Sequence, residues 1–313
     1  MNSPSPTPSS TSPTETITDT TGTVLRGNCH CGRYRFEYLL PDGRRLEDAA
    51  VKCSCTLCSK KGYIWIPSPS TPSEGELKWI RDDGYLTKYQ TPLVWDQFCS
   101  VCGTGLVGVH LYGPLKGQVL VNVRAIQGAN TFFLDSNIKT INLEEEGPFE
   151  PLPLSRDVLY NGSCHCGNVQ FELKKTGGKV EKPWPVKEDN CSSCVRDGFV
   201  GIYPTKEYVF IPEEAYKETF EYKYNKGRNA IQHCSTCGVM VFMVIHGPPN
   251  LAEILERLKK ENPERYQAVK ALAELNLSLQ PLNVRTLERV DWEDIGQRVE
   301  ITDEGTGGYV LDD

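Results

Sequence analysis

Cys29-His30-Cys31-Gly32, Cys53-Ser54-Cys55-Thr56-Leu57-Cys58 and Cys99-Ser100-Val101-Cys102-Gly103 form one block of this chain. The block recurs as Cys164-His165-Cys166-Gly167, Cys191-Ser192-Ser193-Cys194 and Cys234-Ser235-Thr236-Cys237-Gly238. All 13 cysteines fall in these two sets. The offset is 135 residues at Cys29/Cys164 and at Cys99/Cys234, and 136 at Cys55/Cys191. So steady a period signals two copies of one fold. The second set lacks one cysteine: at the place of Cys53 it has Asp189.

Working outward, Asn28-Cys29-His30-Cys31-Gly32-Arg33-Tyr34-Arg35-Phe36-Glu37 is echoed by Ser163-Cys164-His165-Cys166-Gly167-Asn168-Val169-Gln170-Phe171-Glu172. Val121-Asn122-Val123-Arg124 returns as Leu282-Asn283-Val284-Arg285 at an offset of 161, so the second copy carries an insertion before it. That insertion, about 249–277, spaces its apolar residues by three and four, from Leu251, Ile254, Leu255 and Leu258 to Tyr266, Val269, Leu272 and Leu275. This is the helical period, and Pro263 splits it into two helices. They would cover a pocket or pack as a surface hairpin.

Elsewhere short alternating or apolar runs predict strands, among them 33–38, 63–66, 168–173 and 199–203. Leu86-Thr87-Lys88-Tyr89 and Glu221-Tyr222-Lys223-Tyr224 read as edge strands. The expected fold class is mainly β. The expected layout is a disordered Ser/Thr/Pro-rich tail over 1–23, a first zinc domain over 24–130 and an acidic, Pro-rich linker over 131–156. A second zinc domain follows over 157–290, then a C-terminal tail over 291–313. The two repeats are expected to pack on each other.

The bulk numbers narrow the function. A hydrophobic share of 39% and a charged share of 24% over 313 residues suit a globular protein. A net charge of -7 argues against a nucleic-acid surface, which needs clustered positive charge. No apolar run approaches a membrane span of roughly 20 residues. The N-terminal segment lacks the apolar core of a signal peptide. A cytoplasmic location is expected, with the nucleus as the alternative. There, close cysteine pairs bind metal more readily than they form disulfides.

Two short-spaced cysteine pairs on separate turns can supply the four thiolates of a closed, tetrahedral zinc site. Cys29, Cys31, Cys99 and Cys102 make one such set, and Cys164, Cys166, Cys234 and Cys237 the other. Cys53, Cys55 and Cys58 remain as three thiolates, which leave a fourth position open to a thiol. A closed site completed by a nearby His or Asp is the alternative. In the second copy Asp189, Cys191 and Cys194 could still hold metal through a carboxylate. The simpler reading is a degenerate site, giving about three zinc ions per chain.

The order Cys-x-Cys, Cys-x-Cys-x-x-Cys, Cys-x-x-Cys-Gly resembles the glutathione-dependent formaldehyde-activating enzymes, a family that includes centromere protein V. The resemblance covers roughly 24–130 and 157–290. It implies a zinc-held β-tent in each copy, a structural zinc on the outer four cysteines and a catalytic zinc on Cys53, Cys55 and Cys58. It also implies glutathione as co-substrate and carbon–sulfur lyase chemistry on adducts of the S-hydroxymethylglutathione type. The small partner is then a thiol or thiol adduct. A non-catalytic zinc scaffold or interaction module is the competing reading, and thiol redox switching at Cys53 and Cys58 a third.

Other residues invite roles. Arg124 and Arg285 could hold a glutathione carboxylate or serve as structural ion pairs. His110 and His246 precede Gly-Pro turns and could shuttle protons. His30 and His165, inside the Cys-x-Cys pairs, are expected beside the metal or at the surface, not as ligands. His233 has only Phe98 as its counterpart. Trp65, Trp79 and Trp95 would line a pocket or fill the first core.

Overall fold

A computed structural model describes residues 22–40, 44–68, 77–134, 138–143, 153–175, 184–291, 299–303 and 311. The tail 1–21, Glu144-Glu145-Glu146-Gly147-Pro148 and Gly305-Thr306-Gly307-Gly308 lie outside the described residues.

The first copy opens with a hairpin, β1 (Thr23–Asn28) and β2 (Tyr34–Leu40). In β2, Tyr34, Phe36, Tyr38 and Leu40 alternate inward, as strand geometry requires. A short helix, α1 (Leu46–Ala49), leads to β3 (Val51–Cys53), which delivers the middle cysteines to α2 (Thr56–Lys61). There follow β4 (Trp65–Pro67), β5 (Leu77–Asp82), β6 (Leu86–Gln90), β7 (Val94–Cys99), β8 (Gly105–His110) and β9 (Val119–Asn122). After α3 (Thr131–Leu134) comes β10 (Lys139–Ile141). β1, β2 and β5 form one sheet, and the other runs β10-β3-β4-β9-β8-β7-β6.

The second copy repeats this plan with β11 (Val158–Ser163), β12 (Gln170–Lys174), β13 (Val186–Asp189), α4 (Ser192–Asp197), β14 (Val200–Ile202) and β15 (Val209–Phe210). It continues with α5 (Glu213–Lys217), β16 (Thr219–Tyr224), β17 (Asn229–Cys234) and β18 (Met240–Ile245). Then come α6 (Leu251–Glu261), α7 (Pro263–Ser278), β19 (Leu282–Asn283) and β20 (Val299–Thr302). Its seven-stranded sheet, β16-β17-β18-β19-β14-β13-β20, has the same order read backwards. β6 and β16 are edges, as their composition predicts. The chain is thus mainly β, with a cysteine cluster set in each half.

Two segments differ from the sequence reading. Lys139–Ile141, expected in the linker, pairs parallel with β3, and Val299–Thr302, expected in a tail, pairs parallel with β13. Both belong to the sheets. Runs of three and four residues are too short to show an alternation, so pattern alone misses them. They matter for the site. Ser54 N donates to Ile141 O at 3.0 Å, and Leu143 N to Ser54 Oγ at 2.8 Å, so β10 straps down the loop carrying Cys53 and Cys55.

The halves pack through reciprocal contacts, as a two-fold relation between copies demands. Lys60, on α2, reaches Ser163 at the end of β11, while Arg196, on α4, reaches Asn28 at the end of β1. Glu288 closes the first contact, with Lys60 Nζ 2.6 Å from its carboxylate, and Gln127 Nε2 donates to Asn28 Oδ1 at 3.0 Å in the second. His30 Nδ1 lies 2.7 Å from Tyr222 Oη, and His165 Nδ1 lies 2.9 Å from Tyr89 Oη. Between the helices, Gly62 and Gly198 adopt left-handed φ of 60° and 58°. They approach so closely that a Cβ on either would press on the other copy's backbone. One apolar core runs through both copies, joining Leu57, Tyr63 and Trp65 to Phe171, Val241 and Phe242.

Candidate metal centres

In each outer quartet the four sulfurs lie within 4.8 Å of one another. Cys29 and Cys31 Sγ are 3.5 Å apart and Cys31 and Cys99 Sγ 3.8 Å; Cys166 Sγ is 3.5 Å from both Cys164 and Cys234. A tetrahedron with 2.3 Å zinc–sulfur bonds places sulfurs about 3.8 Å apart, so the donor sets fit zinc. The turns are built for it. Tyr34 N donates to Cys29 Sγ at 3.4 Å and Val169 N to Cys164 Sγ at 3.3 Å. Such N–H groups stabilise thiolate and orient it. Cys29, Cys99, Cys164 and Cys234 are fully buried.

The three-cysteine cluster is assembled differently. Cys53 ends β3, Cys55 caps α2, and Cys58 lies one turn into it. Their sulfurs also lie within 4.8 Å of one another, with no fourth cysteine in the set. Cys55 N donates to Cys53 Sγ at 3.4 Å, and Trp65 Nε1 to Cys58 Sγ at 3.3 Å. The Cys53 thiol is drawn well below its ordinary range, chiefly by its hydrogen bonds with Cys55 and Cys58, with His110 contributing. Burial pushes Cys58 up. The trio is buried, at 5%, 0% and 1% exposure, which removes water as a competing donor from most of its surroundings.

The altered copy keeps the frame. Asp189, Cys191 and Cys194 place one donor atom each within 4.8 Å of one another. Asp189 Oδ1 accepts from Cys191 N at 2.6 Å, the same place in the turn that Cys53 Sγ fills in the first copy. Register equivalence shows how much else has changed around it. Position 65 becomes Gly201, 108 becomes Met243, and 110 becomes Ile245. A Cβ on Gly108 would lie 3.3 Å from the Trp65 ring, so the first copy pairs a large residue with none at all. In the second copy Met243 joins Phe199, Ile231, Met240 and Cys194 in an apolar cluster, so the bulk has moved to the other partner.

Arg124 is buried at the junction between the halves. Its Nε donates to Gly62 O at 2.5 Å, its backbone carbonyl accepts from Arg196, and Asn122 Oδ1 caps its own amide. Arg285 Nε donates to Gly198 O at 2.7 Å in the same way. This placement gives the Arg124 Nε a structural role at the junction, in line with the structural alternative of the sequence reading. His233 is likewise employed, with Nε2 3.0 Å from Asp197 Oδ1 and its ring stacked on Phe220. His30 and His165 bridge the halves, and burial lowers both, His165 to about 4. His246 sits near Glu221 at the surface, 3.6 Å away. Trp79 packs edge-on against Tyr34 and Phe36, and the Trp95 ring lies under Lys88.

Pro263 opens α7, as expected of a proline at the first helical turn. α6 buries Leu258, but Leu272 and Leu275 of α7 are exposed. Their spacing is helical, yet that face has no partner among the described residues. The insertion does cover a cavity of about 470 Å³, lined by Tyr203, Arg228, Ile245, Leu251 and Leu277 among others.

No helix among the described residues is long and apolar enough to cross a membrane. No family model matches the chain, and no curated protein matches it. A crystal structure of a Rhodobacter sphaeroides protein aligns at 19% identity and a TM-score of 0.31, covering 45% of this chain and 99% of its own.

Proposed function

We propose that this protein is a zinc-dependent, carbon–sulfur lyase-like enzyme acting on glutathione or another thiol adduct, with its active site at Cys53, Cys55 and Cys58. The observation that carries the proposal is the contrast between the clusters. Two have four thiolates and are complete; this one has three. The resemblance of the cysteine order to glutathione-dependent formaldehyde-activating enzymes supports the choice of substrate class.

Zinc, when bound there, supplies Lewis-acid stabilisation of sulfur as thiolate. The chain supplies the rest. Three cysteines hold the ion and leave room for one further donor. The Trp65 N–H fixes Cys58, and the strap from β10 fixes the loop carrying Cys53 and Cys55. The buried setting limits hydrolysis of a reactive adduct. Only the first copy is proposed to be active; the second gives packing surface and has traded Cys53 for Asp189.

The burial of the trio favours a second reading, a scaffold in which metal holds α2 against the other copy, where Lys60 docks. Turnover separates the two. Cys55→Ser should abolish cleavage or formation of S-hydroxymethylglutathione and related adducts by the full-length protein. Unchanged turnover across those adducts would remove the catalytic assignment.

A further inference from the structure

Alternate residues of a strand share a face, so the side chain at 110 shares that of position 108. The missing side chain at Gly108 makes room for Trp65, whose indole N–H meets Cys58 Sγ. His110 therefore faces the three-cysteine cluster, and it lies beside Cys53. It is fully buried, and neither ring nitrogen meets a partner in hydrogen-bond geometry among the described residues; its approach to Cys53 falls short of a formed bond. Leaving a buried polar group unmatched is costly, which makes an unmatched imidazole next to three thiolates an observation that needs a ligand to explain it.

The second copy supplies an independent argument. Val94 pairs with His110 in the first sheet, and Asn229 with Ile245 in the second, so Ile245 is the register equivalent. The histidine is lost in the same copy that loses Cys53 to Asp189 and Trp65 to Gly201. These differences fall together in one small volume around the three-cysteine cluster.

We propose that His110 is the fourth, displaceable ligand of the metal held by Cys53, Cys55 and Cys58. This rests on the reading of that trio as a metal centre. Imidazole is a common neutral donor to zinc and completes four-coordination without adding a fourth negative charge to a buried site. Displaceability follows from two features. Its nitrogens stand outside the set of atoms within 4.8 Å of one another. A firmly held metal-ligating histidine also donates its other N–H to a partner, which His110 lacks. An incoming thiol then exchanges for the imidazole, so the open position is guarded, not vacant.

The test is cadmium-113 NMR on the full-length chain with nitrogen-15-labelled histidine. One cadmium resonance should couple to one imidazole nitrogen. His110→Ile should abolish that coupling and shift that resonance alone, leaving those of the two quartets in place. Adding glutathione to the wild type should also abolish it. A resonance assigned to the trio by its loss in Cys55→Ser, yet uncoupled to any imidazole, would overturn the proposal while leaving the trio a metal centre. Coupling that survives excess glutathione would overturn displaceability. If no resonance depends on Cys55, the reading of the trio fails and this inference with it. None of these readouts depends on turnover.

Discussion

Lys61→Met strips an ammonium from the interior while keeping most of the side chain's bulk. Lys61 Nζ and Asp96 Oδ2 are 2.6 Å apart, with side-chain exposures of 4% and 0%. Burial pushes the Asp96 carboxyl up, and Lys61 and the Tyr63 hydroxyl, 2.8 Å from Oδ1, pull it back. Without Lys61 the fully buried carboxylate keeps one neutral donor, the Tyr63 hydroxyl. Breaking a buried pair in this way costs ~3–5 kcal/mol, a large share of the 5–15 kcal/mol by which domains are typically stable, to order of magnitude roughly a third. The second copy shows the remedy, because it carries Ile231 at the register of Asp96 and Phe199 at that of Tyr63. Adding Asp96→Ile should recover most of the loss and leave about 1–3 kcal/mol for the stranded Tyr63 hydroxyl. Adding Tyr63→Phe should remove that remainder. Guanidinium denaturation at saturating zinc reads this directly: with a slope of roughly 4 kcal/mol/M, the single variant should lower the midpoint by about 1 M. A shift under about 0.2 M for Lys61→Met, or a triple variant no more stable than the single, would refute the reasoning.

Two further outcomes follow, one from a contact at the trio and one from the junction between the copies. Trp65→Phe removes the N–H to Cys58 Sγ and should weaken metal binding at the trio by about 10–100-fold, judged by chelator competition, while both quartets keep their metal; equal weakening at all sites would contradict it. Arg196→Met breaks the bonds to Arg124 O and Asn28 Oδ1 and should cost about 1.5–3 kcal/mol. Proteolysis should then cut between the copies faster, and an unchanged cleavage rate would count against the docking role.

The repeat and its four clusters were legible because cysteine spacing survives in the chain as written. Strand content was legible where apolar and polar residues alternate plainly, as in β2 and β12. β10 and β20 were not, because their place comes from parallel pairing with a distant strand and not from pattern. The docking of the copies was equally hidden. Lys60 and Ser163 are 103 residues apart, and nothing local marks either as a partner. Arg124 shows the same limit from the other side: a guanidinium suited to a carboxylate is equally suited to a backbone carbonyl, and Gly62 supplies one. In the sequence His110 is marked by the Gly113-Pro114 turn that follows it. The informative signal was its strand phase with Gly108, together with the loss of both His110 and Cys53 in the second copy.

Metal content of the full-length chain tests the division of labour most directly. The account predicts three zinc ions per wild-type chain, two in Cys55→Ser, and three still in Asp189→Ala. Four in the wild type falling to three in Asp189→Ala would contradict it, because the altered copy would then hold metal as the first one does.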